Sequence, residues 1–276
     1  MPSLSTTVTR VLEICNNPTT SPNDLNRVIS LDPVLTGQVL KLINSAYYSL
    51  PNQVTSLTRA IIMLGLNTVK NLALSTAVLH SLGGARSFQA LTMDEFWTHS
   101  IGVGVLAKAM AAALGVPAAE REEYFVAGLL HDLGKIPMNN RFAAEYGQAV
   151  QLARLEQGAL LRAELTILGL EHCQVGGLIA DKWQLSVPLR GSLRHHHDPA
   201  QADQAARPLV AVVGLANLYI NAFEIGSAAD PHPDPYLLTD LLGQVGVTWS
   251  QLTDLHPTVL AQIDNAKIFL RIAQRG

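Results

Sequence analysis

The sequence predicts an all-α protein, and three observations carry that prediction. Apolar residues recur at helical spacing, as in Val39, Leu40, Ile43 and Ala46 and again in Ala60, Ile61, Leu64 and Val69. Ala and Leu, both strong helix formers, dominate the chain. Alternating apolar–polar segments closed by hairpin turns are absent.

In chain order, Ser21-Pro22 opens a helix through NDLNRVI, and Asp32-Pro33 opens the next through VLTGQVL. In LINSAYYSLP, Asn44 and Ser45 end that helix, their side chains satisfying backbone groups. Tyr47 and Tyr48 follow as core or interface aromatics. STAVLHSL stops at Gly83-Gly84. The segment GGARSFQALTMD, residues 83–94, marks an internal boundary. Only one histidine, His80, and few carboxylates precede it, while most of both follow. We therefore expect a helical subdomain over residues 1–85 and a second over 86–276.

FWTHSIGVGVLAKAMAAALG then reads as a long, tightly packed helix with His99 near its start. Pro117 introduces a helix over 118–133 whose first acids, Glu120, Glu122 and Glu123, suit the positive end of its dipole. Its middle, YFVAGLL, is apolar on every side and so buried all round. His131 and Asp132 fall in its last turn, with Gly134 as the stop. His172 starts another helix, LRHHHDP delivers His195, His196 and His197 just before Pro199, and RPLVAVVGLANLYINAF is a further helix. GSAADPHPDPY, residues 226–236, is expected to be an exposed loop. Trp97 and Trp183 are expected to fill the core, and Cys173 to pack as a small apolar residue.

Composition narrows the function. The 276 residues, 48% hydrophobic and 15% charged, allow one large core or two subdomains. With 19 basic and 22 acidic residues, a net charge of −3 and no basic run, the chain lacks the footprint of a nucleic-acid binder. Two cysteines, Cys15 and Cys173, match no disulfide or zinc spacing, which fits a reducing compartment. No stretch reads as a signal peptide or a membrane span, so a cytoplasmic protein is expected.

The chemistry concentrates in the histidines. A lone His-Asp pair at a helix end is most simply a buried hydrogen bond, and single core histidines mean little. Here four separate segments each place histidine at or near a helix end, which packing alone does not explain. Imidazoles with a carboxylate suit a transition metal, with iron favoured and manganese, zinc or nickel possible, at one or two ions.

The order H…HD…H…HH, with HDLGK at its centre, resembles the HD superfamily of metal-dependent phosphohydrolases. LDPVLTGQVLKLINSAYYSLPNQVTSLTRAIIMLGLNTVKNLAL resembles the signature region of the HDOD family, the HD-related output domains of bacterial signalling. FWTHS, EHCQVGGLIADKWQLS and HHHDP are similar to later HDOD segments, so the likeness spans roughly residues 10–270. The resemblance implies an HD-like helical core with an additional N-terminal helical subdomain. It places His99, His131 and Asp132 at first-ion positions, with Asp132 bridging, and His172, His196 and His197 at second-ion positions. Lys135 matches the lysine that approaches the substrate phosphate in the related HD-GYP phosphodiesterases, so it would be catalytic only in an active enzyme. Two departures weigh against hydrolysis. Asn217 stands where active relatives carry an aspartate, making it a weak ligand, and no GYP follows the histidine pair.

The resemblance therefore implies a regulatory module that binds a signalling protein partner, with a nucleotide or phosphate ligand possible and a metal site retained. A working metal-dependent phosphohydrolase or phosphodiesterase is the alternative.

Overall fold

The computed structural model describes residues 6–17, 19–82, 91–230, 232 and 234–273. Among them every regular element is helical. The N-terminal helices are α1 (Thr6–Asn16), α2 (Pro22–Ser30), α3 (Pro33–Ile43), α4 (Leu57–Leu64) and α5 (Leu66–Leu82). The Gly83-Gly84 stop and most of the expected boundary segment lie outside the described residues. Ser21 caps α2 through a reciprocal pair with Asp24, and Asp32 caps α3 by accepting from the Leu35 N–H at 2.9 Å. Asn44 ends α3, donating to the carbonyls of Leu40 and Val54 and accepting from the Val54 N–H, while Ser45 donates to the Leu42 carbonyl.

The second half is built around α6 (Met93–Ala113) and α7 (Arg121–Leu130). These two helices touch backbone to backbone: a Cβ on Gly128 would stand 2.7 Å from the Gly104 Cα. Around them lie α8 (Lys135–Arg141), α9 (Ala143–Glu156), α10 (Leu160–Leu168), α11 (His172–Lys182), α12 (Val187–His195), α13 (Arg207–Ala222), α14 (Pro235–Val245), α15 (Trp249–Ala266) and α16 (Ile268–Ala273). Helix α13 packs across α6 and α7, α12 packs on α7, and α11 pairs with α12. Helix α5 packs on α7, and α16 returns to α3 and α5. One apolar cluster accordingly runs from Val11 to Phe269, and Trp97 and Trp183 are buried in it.

Tyr47 and Tyr48 join the two halves. Tyr47 packs edge-on to Phe269 and against Phe125, and the Tyr48 hydroxyl donates to Glu122 at 2.7 Å. Glu122 also meets Lys108 at 2.6 Å. This buried acid thus serves a cross-helix network as well as the first turn of α7.

The expected helix over 118–133 is shorter. Pro117–Glu120 form a turn closed by a Glu120 N–H to Pro117 carbonyl bond, and α7 ends at Leu130. Residues 131–134 then tighten into turns, with Leu133 bonding back to Leu130 and Lys135 to Asp132. Gly134 is not a left-handed stop, since its φ is −62° and α8 begins at the next residue. Glycine is required there by a close approach: a Cβ would lie 2.0 Å from the His172 carbonyl oxygen. That contact brings the start of α11 against the end of α7.

Candidate metal centre

The turn after α7 sets His131 and Asp132 side by side at the floor of the second half. Asp132 is buried, and each of its oxygens faces a different group of side chains. Its Oδ2 lies 3.2 Å from His131 Nε2, 3.9 Å from His99 Nε2 on α6 and 2.8 Å from Lys135 Nζ. Its Oδ1 lies 3.4 Å from His172 Nε2 on α11 and 3.5 Å from His196 Nε2 at the end of α12. His197 completes this second group, its ring centroid 4.3 Å from that of His196 and 5.2 Å from that of His172. Asn217 on α13 reaches the first group, its Oδ1 3.0 Å from His99 Nε2. The structure thus brings together all the residues singled out from the sequence, while His195 stays on the outer side of the turn, lining a neighbouring cavity.

The second nitrogen of each ring decides what the first can do. His131 Nδ1–H donates to the Gly128 carbonyl at 2.7 Å, and His196 Nδ1–H to the Ser192 carbonyl at 2.8 Å. His172 Nδ1–H donates to Glu164 at 2.7 Å, and its backbone N–H donates to the same oxygen at 2.9 Å. A ring held in this way turns Nε2 inward, the arrangement that orients metal-binding imidazoles. His131 Nε2, His172 Nε2, His197 Nε2 and Asp132 Oδ1 are buried without a hydrogen-bond partner among the described residues. Unpartnered buried polar atoms converging on one spot are costly unless a cation or proton joins them, so these residues fit a metal. Two groups lie close enough to hold ions: His99, His131 and Asp132, and His172, Cys173, His196 and His197.

Electrostatics agrees with that geometry. Burial pushes the imidazoles of His99 and His196 down to about 3, so both are neutral at pH 7 and able to ligate. His197 is pushed down by burial and by its neighbour His196. Burial opposes charge on His172 too, but the Glu164 carboxylate outweighs it and holds its proton well above the ordinary range. A metal at His172 Nε2 would take that proton's place. Burial likewise opposes the Asp132 anion, but His131 and Lys135 win and keep its carboxyl well below the ordinary range.

Three features escaped the sequence. Glu164 was overlooked, although Leu160, Ala163 and Glu164 share one buried face of α10, which sets a carboxylate among apolar positions. Cys173, expected simply to pack, lies with the second histidine group. The loop expected to be exposed is half-buried at Gly226 and Ser227 and fully buried over the next three residues. Ala228, Ala229 and Asp230 are covered, the Lys135 ammonium donates to the Ala228 carbonyl at 3.0 Å, and Asp230 accepts from the Leu160 N–H at 3.0 Å. Gly226 permits this by a close approach: a Cβ would stand 2.4 Å from the His99 nitrogen. Residues 226–230 are irregular as expected, with Pro231 and Pro233 outside the described residues, but two alanines and an aspartate that accepts from the Leu160 N–H let residues 228–230 fold over the site.

Lys135 is wholly buried, held by Asp132 and Ala228. A cavity of about 580 Å³ adjoins the second histidine group, lined among others by His195, His197, Cys173 and Arg194. Neither Lys135 nor Asp132 lines it.

The likenesses to known proteins agree with this architecture. The HDOD domain family matches residues 1–199. A solved HDOD domain protein of unknown function from Geobacter sulfurreducens is 26% identical with a TM-score of 0.75, over 97% of this chain and 92% of that one. A protein from Marinobacter aquaeolei VT8 described as a signal transduction protein shares the fold at 18% identity and a TM-score of 0.77, over all of this chain and 60% of its own. A protein from Shewanella amazonensis SB2B described as a phosphohydrolase shares it at 21% identity and a TM-score of 0.72, over 96% and 94%. An uncharacterized Treponema pallidum protein is 28% identical over 225 residues, of which this chain spans 42% of the length. No helix among the described residues is long and apolar enough to cross a membrane. The chain belongs to the HDOD family.

Proposed function

We propose that this chain is a signalling module that acts by contact with a protein partner, and that its buried histidine centre keeps a transition metal for structural or sensory use. One observation carries this reading. His99, His131, Asp132, Lys135, His172 and His196 are each at most 1% exposed. A phosphoryl substrate would have to reach a metal ion and the Lys135 ammonium together. Lys135 is instead committed to Asp132 and Ala228 and does not line the open cavity beside His197 and Cys173.

The ligand assignment is part of the proposal. His99, His131 and Asp132 would hold one ion, with Asn217 a weak neutral neighbour, and His172, His196 and His197 the other. The metal would supply charge that locks helices α6, α7, α11 and α12 together around Asp132. Iron is favoured for the imidazole and carboxylate donors. The N-terminal helices would form a subdomain of one continuous module that presents surface to the partner; Leu31, Val34 and Ile62 are exposed there.

The test is elemental analysis of tag-free protein, followed by assays on a generic phosphodiester and on nucleotides. We expect about one to two equivalents of transition metal and no turnover approaching the enzyme median of about 10 per second. Turnover at that rate overturns the regulatory reading, and a chain that takes up no iron, manganese, zinc or nickel overturns the metal.

A further inference from the structure

The second histidine group contains a donor that the histidine order does not name. Cys173 directly follows His172 at the start of α11 and is 2% exposed. Its Sγ lies 3.8 Å from His196 Nδ1 and 4.0 Å from His196 Nε2. One donor atom each from His172, Cys173, His196 and His197 lies within 4.8 Å of all the others. Two of these donors, His172 Nε2 and His197 Nε2, are buried without a hydrogen-bond partner among the described residues.

A buried cysteine is most often an inert small apolar residue. This sulfur, however, sits against the His196 imidazole, within reach of both ring nitrogens. A tetrahedral ion with metal–sulfur near 2.3 Å and metal–nitrogen near 2.05 Å sets S and N about 3.6 Å apart. The 4.0 Å separation to His196 Nε2 needs only a small closure to match.

Resting on the reading that the cluster holds metal, the geometry points to Cys173 as the fourth donor of a closed three-histidine, one-thiolate site for zinc. Three imidazoles and a thiolate form a soft, nitrogen-rich set that suits zinc better than iron, so the two sides of Asp132 prefer different metals. Binding exchanges the Cys173 S–H proton for a metal–sulfur bond and the His172 Nε2 proton for a metal–nitrogen bond, and both protons leave to solvent. Four protein donors leave no coordination position for a water, as in structural rather than catalytic zinc sites. Asp132 then keeps its ion pair with Lys135 and serves the His99–His131 side alone.

The experiment uses the full chain without an affinity tag, loaded with zinc and separately with cobalt(II). X-ray absorption at the zinc edge should show one sulfur near 2.3 Å among nitrogen neighbours. Cobalt-loaded protein should show a thiolate-to-cobalt charge-transfer band in the near ultraviolet. Cys15→Ser should retain both signals, since Cys15 is the other cysteine, and Cys173→Ser should lose both while still binding metal. If Cys173→Ser does not fold, the unmutated and Cys15→Ser spectra still decide. Metal bound without a sulfur neighbour overturns the thiolate and leaves the histidine centre standing. A chain that binds neither zinc nor cobalt overturns the zinc site, and one that also takes up no iron, manganese or nickel overturns the histidine centre. A signal lost in Cys15→Ser and kept in Cys173→Ser also overturns it.

Discussion

The two sides of Asp132 hold similar residues in different states of readiness. On the α11–α12 side, His172 and His196 each tie Nδ1–H to an oxygen, so both present Nε2 inward. On the α6–α7 side, only His131 does so. His99 spends its Nε2–H on Asn217, whose oxygen also accepts from Asn221 Nδ2 at 3.1 Å. His99 Nδ1 is left buried without a hydrogen-bond partner among the described residues. Ligand identity already sets the sides apart, two imidazoles and a carboxylate against three imidazoles and a thiol. The group behind each ring separates them further, because that group fixes which nitrogen carries the proton.

The strongest way to break this comparison is Asp132→Asn. It strips the anion from Lys135, and leaving one partner of a buried ion pair uncompensated typically costs about 3–5 kcal/mol. We expect a large drop in thermal midpoint, with metal lost from the His99–His131 side and kept on the histidine-rich side. Metal analysis checks this, and loss from both sides equally would erase the distinction between them.

Acid acts on both sides but not on every ring. His99 and His196 lie at about 3 when folded and at the ordinary 6.5 when unfolded. Between those values the unfolded chain binds more protons, so stability falls as pH falls from 6.5 toward 3. Each group adds a slope of about 1.4 kcal/mol per pH unit. His172 is raised instead, so below 6.5 it is protonated in both states and offsets nothing in that window. Chelator-treated protein melted at stepped pH should lose stability from about 6.5 downward. A flat profile would mean these rings are not neutral in the folded chain.

Glu164→Gln probes the readiness of the second side directly. An amide accepts the His172 Nδ1–H more weakly, and changing such a supporting partner typically lowers metal affinity about 10- to 100-fold. Competition with a chelator should show that loss on the histidine-rich side and little change on the other. An unchanged affinity would show that Glu164 only packs.

These experiments lean on residues that differ in how openly the sequence shows them. The helices were legible because apolar spacing and caps such as Ser21 and Asp32 are local signals. The histidines and Asp132 were legible through their order along the chain. Glu164 was hidden because its role depends on α10 lying beside α11, and a single carboxylate in an apolar helix announces no partner. The burial of residues 228–230 was hidden because loop composition reports turn geometry, whereas burial depends on what the turn folds onto. The end of α7 was misplaced because Gly134 was read as a conformational stop, when it serves a close approach to His172.

The smallest expected effect, and the finest test, is Asn217→Asp. The substitution is nearly isosteric and supplies a carboxylate beside His99. In the metal-free chain the new anion would hold the His99 proton more firmly, so a gain appears only when a cation displaces that proton. Once it does, the ion meets His99, His131, Asp132 and the introduced carboxylate, compared with two imidazoles and one carboxylate before. We therefore expect metal content to rise by up to about one equivalent at fixed free metal, with the histidine-rich side unchanged. Hydrolysis should stay slow, because Lys135 remains buried and paired. Metal per chain, measured before and after the substitution, decides it. No rise would mean that the Asn221 and His99 bonds to residue 217 hold it away from the ion, and the weakness of this side would then lie in its hydrogen bonding rather than in its charge.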